Sequence, residues 1–214
     1  MTTAREGFDA TITRSIDLFH LARHWHDGCP SHHHATEGHK AVYTDIGRSG
    51  VVLAVAAMDA YFTRRFSELL VPYLKAKGTT KALSELLESA GLDVAQALAL
   101  AIMDRPFRRI RALVDGYLER YTAQKSDRID SLFAAYGLTE LSKHVMNKAG
   151  RKTLKRSVAI LVERRHQIVH EGDLNKHGKL NDFDWVEMVK RLRDLKMLVD
   201  AADQIIESFS VRLK

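Results

Sequence analysis

Cysteine is nearly missing: Cys29 is the only one in 214 residues. No internal disulfide is available, so cohesion has to come from packing, as suits a reducing compartment such as the cytoplasm. Proline is scarce, with three in all, and runs of alternating polarity bounded by Gly or Pro do not occur, which excludes a β-rich fold. A long hydrophobic run is also lacking. The most apolar stretch, GVVLAVAAM at 50–58, falls well short of the ~20 residues that span a bilayer. The amino terminus has no basic-then-apolar signal pattern, and the expectation is a cytoplasmic chain with no membrane contact. Acidic residues are the minority, 27 against 33 Lys and Arg, for a net charge of +6 and a pI near 9.4. An anionic partner is therefore favoured electrostatically. At 45% hydrophobic and 28% charged residues, the composition is that of a globular protein and excludes disorder.

What the chain does have is helical periodicity almost throughout, which predicts an all-α fold in one domain over 1–214. Phe8, Ile12, Ile16 and Phe19 share one side of a first helix over 4–26. That helix runs out at a His-rich loop, 27–40. A second helix over 41–75 carries the stripe Val52, Val55, Asp59, Phe62, Phe66 and Leu69, and Pro72 should kink or end it. Between 76 and 150 the pattern is broken, and shorter helices are expected there. One lies over 79–90, ending at Gly91, a second runs from a cap at Asp104 to Tyr121, and one or two more fall across 126–148. NDFDW at 181–185 then signals the start of a final helix. Its stripe, Trp185, Met188, Leu192, Leu195, Val199, Ala202, Ile206 and Phe209, alternates steps of three and four, the pattern of a core face or a dimer seam.

The helix before it contains an anomaly. Leu154, Val158, Leu161, Arg165 and Ile168 follow one another at helical spacing, so Arg165 stands where a leucine belongs. A guanidinium in such a place is costly unless it is paired or faces a cleft. Asp59 interrupts the second helix in the same way, and the two faces are expected to pack so that Asp59 reaches Arg165 or a neighbouring histidine. A buried structural ion pair would satisfy the same pattern. His166 and His170 are four apart and share a face, a spacing that also suits two metal ligands. Beyond Glu163 and Asp173 nearby in sequence no third ligand presents itself, and no metal or cofactor is expected. His170 lies about 140° around the helix from Arg165, so the two meet only if the helix frays, bends or ends near His170, which Gly172 makes credible. Arg164, about 100° from Arg165, should face solvent or phosphate.

RHQIVH, with Arg165, a polar residue at 166 and His170, resembles the Arg-x(4 to 6)-His signature of the HEPN superfamily. AVAAMDAYFTRRF in the second helix resembles the apolar helix that carries an acidic residue in many of its members. The resemblance covers 41–75 and 150–210 well and 76–150 poorly. It implies an antiparallel bundle of four to five main helices, with extra short helices in the middle. It also implies a metal-independent ribonuclease of toxin, abortive-infection or antiviral defence systems, with two motifs brought together across a homodimer to form a composite site. The side chains suit that chemistry, because RNA supplies its own 2′-hydroxyl nucleophile and needs a base, an acid and a cation. Arg165 would act on the phosphoryl oxygens and His170 as general base or acid. His166 would orient substrate or supply the other proton transfer, and Asp59 would hold the Arg or His. In the branch controlled by a nucleotidyltransferase antitoxin a tyrosine stands two positions after the motif histidine. This chain reads His170, Glu171, Gly172, which argues against that control and leaves a different antitoxin or a defence-system partner protein. A non-catalytic HEPN module that binds RNA, nucleotide or protein is the alternative.

Further RNA contacts are expected from Arg151, Lys152, Lys155 and Arg156, with Lys148 beside them, and from Arg105, Arg108, Arg109 and Arg111. Solvated helix faces would produce the same charge runs. His20, His24, His26, Cys29, His32, His33, His34 and His39 form the other conspicuous group. Their order matches no zinc-site spacing, and a flexible loop is the simpler reading.

Overall fold

The computed structural model describes residues 2–27 and 37–213, with side chains in the second of these segments from Ala41 onward. The His-rich positions Cys29, His32, His33, His34 and His39 lie outside the described side chains. Helices among the described residues are α1 (Ala4–His26), α2 (Glu37–Lys77), α3 (Lys81–Ser89), α4 (Val94–Ala101), α5 (Pro106–Leu118), α6 (Ser126–Ala134), α7 (Leu141–Ala149), α8 (Leu154–Glu171) and α9 (Trp185–Val211). The described residues contain one isolated β-bridge, Leu174 to Leu180, and no strand. The fold is all-α: the four long helices α1, α2, α8 and α9 are joined through five shorter ones.

α1 and α2 pack antiparallel. Moving up α1, the Ala4 N–H donates to Glu68, Phe8 meets the ring of Tyr61, and the Ser15 hydroxyl donates to the Gly50 carbonyl. Each partner therefore lies earlier in α2 than the last. Close approach at this seam depends on glycine. A Cβ at Gly50 would lie 2.6 Å from the Phe19 ring and 3.2 Å from the Ser15 carbonyl, and one at Gly47 would lie 2.7 Å from the Trp185 ring. α9 runs parallel to α2, pairing Tyr61 with Asp203 and Arg65 with Glu207 further along both helices. Its stripe from Trp185 to Ile206 is buried within the chain. The three-and-four alternation of α9 is thus a core face.

Local signals explain most helix starts. Thr3 and Glu6 form a reciprocal capping box on α1, and Thr80, Asp93 and Asp184 each accept an N–H from the first turn of their helices. At α5 the expectation differs from the structure: Asp104 is not the cap. The helix starts at Pro106 with no side-chain cap, because a proline in the first turn presets φ and has no N–H to satisfy. Pro72 likewise does not end α2, which continues to Lys77. Leu69, Leu70 and Tyr73 are buried around an exposed Pro72, so packing holds the helix through one missing hydrogen bond. By length and composition Ala41–Lys77 is apolar enough to cross a bilayer, a property shared by core helices; Val51, Ala54, Val55, Met58, Phe62 and Phe66 are buried in this one.

The segment 76–150 docks on the second half of α2. Phe133 packs edge-on against Phe62 and Phe66, Tyr136 stacks on Phe66 at 4.4 Å, and the Tyr136 hydroxyl donates to the Phe66 carbonyl. The end of α8 instead reaches the first half of α2, at Arg48. Eighteen residues separate Arg48 from Phe66, about 27 Å of helix. The carboxyl end of α8 and the short helices therefore occupy different ends of α2.

Candidate functional site

α8 buries Leu154, Ser157, Val158, Leu161 and Val162, and its next stripe position is Arg165. That side chain is half-buried, and its Nε is buried with no hydrogen-bond partner in the described structure. The intrusion expected from the spacing is real. Its expected partner is not: the Asp59 carboxylate accepts from the Ala123 N–H at 2.6 Å and from Gln124 Nε2 at 2.8 Å, and makes no contact with Arg165 or His170 within the chain. Ala123 is fully buried, so its N–H requires an acceptor. Asp59 supplies it from the part of α2 that faces the short helices.

The carboxylate that organises the end of α8 is Asp173. It is fully buried and accepts from Arg48 Nε at 2.5 Å and from Arg164 Nη2 at 2.8 Å. Its reach depends on the helix ending. Gly172 and Asp173 both adopt left-handed φ, 63° and 58°, which folds the chain back and lets the Asp173 N–H bond the Gln167 carbonyl at 3.0 Å. Arg48 also donates to the Asn181 carbonyl and Arg164 to the Asp182 carbonyl, both at 2.9 Å. One buried carboxylate thus joins α2, α8 and the segment leading to α9. Two signals in the sequence pointed here, an arginine inside the small-residue face IGRSG and an acid directly after the helix-ending glycine. Their separation of 125 residues hid the pairing.

This arrangement corrects the reading of Arg164, whose guanidinium is tied to Asp173 and does not face phosphate. Burial, with the Arg48 charge beside it, pulls the Arg164 pKa below the usual arginine value against the attraction of Asp173. Arg151 is also committed, to an ion pair with the fully buried Asp194 of α9. Lys152, Lys155 and Arg156 are exposed at the start of α8, as are Arg105, Arg108 and Arg109 around the start of α5. Arg111 donates to the Ser67 hydroxyl at 3.1 Å.

His166 and His170 are both exposed, with ring centroids 4.5 Å apart. α8 stays helical through Glu171, one residue past His170, so the helix ends too late to swing His170 towards Arg165. In one chain the cation and the imidazole pair occupy adjacent faces, His170 about 140° from Arg165. Ile160 and Val169 of α8, Leu174 and Leu180 of the segment after it, and Val186 in the first turn of α9 are exposed apolar side chains. No group of three His, Cys, Asp or Glu among the described residues is placed to hold a metal ion. A groove of about 760 Å³ lies between the start of α1, α2 and α5. It is lined by Arg64, Ser67, Glu68, Arg111 and Asp115 and contains none of the motif residues.

Neither curated proteins nor solved structures match the chain. The model of one family, RiboL-PSP-HEPN, matches residues 29–208, a span that includes all of α2, the short helices, all of α8 and most of α9. That match covers the Arg165–His170 motif together with the bundle that presents it, and the chain belongs to the RiboL-PSP-HEPN family of the HEPN superfamily, whose domains are typically ribonuclease or nucleotide-binding modules.

Proposed function

We propose that this protein is a metal-independent endoribonuclease, assembled as a homodimer with a composite site and acting as a toxin or an abortive-infection or antiviral defence effector. The observation that carries the reading is the exposed His166–His170 pair, 4.5 Å between ring centroids, beside an Arg165 whose buried Nε has no partner. An imidazole titrates near neutral pH and so can take or give a proton. One of the pair removes the proton of the 2′-hydroxyl as that oxygen bonds to the adjacent phosphorus. The bond from phosphorus to the 5′-oxygen breaks, and the leaving oxygen takes its proton from the other imidazole. Arg165 stabilises the charge on the non-bridging oxygens. The products are a 2′,3′-cyclic phosphate and a 5′-hydroxyl.

The divergence of Arg165 and His170 within one chain is what makes a second copy necessary. A two-fold axis beside α8 sets the Arg165 of one copy opposite the histidine pair of the other. The exposed Ile160, Val169, Leu174, Leu180 and Val186 supply apolar surface for that contact. Besides Arg165, the cations left for RNA here are Lys152 just before α8 and Lys155 and Arg156 in its first turn, since Arg151 and Arg164 hold buried carboxylates. Lys155 stands ten residues before Arg165, about 15 Å along the helix, within reach of a strand that crosses the site.

One observation favours the non-catalytic reading, in which the module binds RNA, nucleotide or a protein partner: among the described residues no carboxylate forms a hydrogen bond or ion pair with Arg165, His166 or His170. The test is incubation of wild type and of the His170→Ala and Arg165→Ala variants with labelled total RNA and transfer RNA in excess EDTA, followed by mapping of product ends. Cleavage by wild type alone, leaving cyclic-phosphate ends, is expected. Intact RNA in every reaction, with dimers and RNA affinity retained, moves the assignment to the binding module.

A further inference from the structure

The three most exposed large apolar side chains among the described residues are Ile102, Val94 and Leu98, at 88%, 77% and 68%. All three lie on or directly after α4, at steps of four, so they form one stripe along the helix. Met103 adds to its end. α4 itself is lightly anchored. Leu100 is its one buried residue, and it stands outside the main apolar core that the other eight helices share. An isolated helix of eight residues is unstable in water, and α4 depends on its Asp93 cap and its packing on α5. A helix held this way, with its aliphatic side chains turned out, is poorly explained as a structural element alone.

Charge indicates what covers it. The stretch 102–114 following the stripe holds four arginines and one aspartate, and Arg105, Arg108 and Arg109 are exposed with no ion pair to any described residue. A second copy docking face to face would set these arginines against themselves, because a two-fold contact repeats the same patch on both sides. The area also argues against a second copy. Eight residues make a helix about 12 Å long and 10 Å across, far too small for the roughly 800 Å² per partner of a stable dimer. RNA would satisfy the arginines but not the aliphatic stripe, which offers no ring for base stacking.

We infer that α4 and the start of α5 form a docking surface for an acidic amphipathic helix of a different protein. Its apolar face would lie along Val94, Leu98 and Ile102, and its carboxylates would meet Arg105, Arg108 and Arg109. The surface is formed by the short helices, whose anchor on α2 lies towards the end away from Arg48 and the motif, and the inference stands whether or not the protein cleaves RNA.

The probe is a synthetic amphipathic helix with leucines at alternating steps of three and four and glutamates on its flanks, its binding to the full chain followed by fluorescence anisotropy. Wild type should bind it and ignore a scrambled peptide of the same composition. Leu98→Asp with Ile102→Asp, and separately Arg108→Glu with Arg109→Glu, should each weaken binding by about tenfold or more. These positions are exposed, so circular dichroism should show the variants folded. Equal affinity for the scrambled peptide overturns the inference. So does an apolar double variant that binds the peptide unchanged while poly(U) competes through Arg108 and Arg109, which would make the surface an RNA site. If sedimentation shows that Leu98→Asp with Ile102→Asp splits a wild-type dimer, the occupant is a second copy.

Discussion

Arg164 and Arg165 are neighbours with opposite uses. Arg164 places Nη2 2.8 Å from the buried Asp173 carboxylate, whereas Arg165 makes no hydrogen bond or ion pair to any described residue; the Nε of each is buried without a partner. The first arginine, with Arg48, neutralises a charge that fixes how α8 ends. The second has no such role, and a buried donor left unsatisfied costs on the order of 1–3 kcal/mol. The unsatisfied Nε is shared with Arg65, Arg164 and Arg191; what sets Arg165 apart is that no described carboxylate pairs with its guanidinium, as the proposed role on phosphate requires.

Replacing Arg165 by methionine should therefore separate stability from activity. Urea denaturation of Arg165→Met is expected to show unchanged or raised stability, by up to about 1–2 kcal/mol, because an apolar chain of similar length removes the unsatisfied donor. Cleavage of RNA should fall on the order of 10²–10³-fold, the scale for losing one electrostatic stabiliser of the transition state. A variant that is both less stable and fully active would assign Arg165 to packing.

Asp59 should behave in the reverse way. With Asp59→Ala, the buried Ala123 N–H loses its acceptor and Gln124 its partner, at a cost of roughly 1–3 kcal/mol. Cleavage per folded molecule should stay near the wild-type value. Asp59→Asn retains an acceptor oxygen and should recover most of the stability. A cleavage rate that drops in both variants, below their melting transitions, would return Asp59 to the active site.

The contrast between these two residues shows where the sequence is legible. Both charges interrupt an apolar stripe, and the spacing correctly marks them as partly buried. Periodicity cannot say what an intruding charge touches, however, and α2 is 41 residues long, with different neighbours along its length. Asp59 lies where α2 faces the chain between α5 and α6, and Arg48 lies where it meets α8. α1 was legible in its bounds and in Phe8, Ile12 and Phe19, which are buried, whereas Ile16 is half-buried and the buried Ser15 carried no apolar signal. α4 was not: in VAQALALA Gln96 is the one polar residue, too little to mark out a polar face and with it a period.

Two glycines in α2 and one in α5 give opposite expectations for the same substitution. Alanine favours a helix over glycine by roughly 0.5–1 kcal/mol. At Gly116 nothing lies within 4 Å of the added Cβ, so Gly116→Ala should raise the melting temperature. At Gly50 the Cβ would stand 2.6 Å from Phe19, and at Gly47 2.7 Å from Trp185. Both rings are packed in the core, and overpacking of about 1–3 kcal/mol should outweigh the gain. Thermal melts of the three variants decide the matter, and a stabilised Gly50→Ala would mean that α1 stands further from α2 than described.

The cations at the start of α8 divide by the same logic. Arg151 is held by the buried Asp194, whereas Lys152, Lys155 and Arg156 are exposed. Neutralising the exposed three should leave the melting temperature within a few degrees of wild type, since surface charges contribute little to stability. It should also reduce the salt dependence of RNA binding. Each phosphate contact on a single strand contributes about 0.7 to the slope of log K against log salt, so losing three lowers it by about 2. Arg151→Gln should do the opposite, destabilising the fold by leaving a buried carboxylate unpaired and changing the slope little. Binding isotherms at several salt concentrations, with melts of the same preparations, separate the two. An unchanged slope for the triple variant would move the RNA path off α8, and a full unit of slope lost with Arg151 would show that its ion pair opens to phosphate.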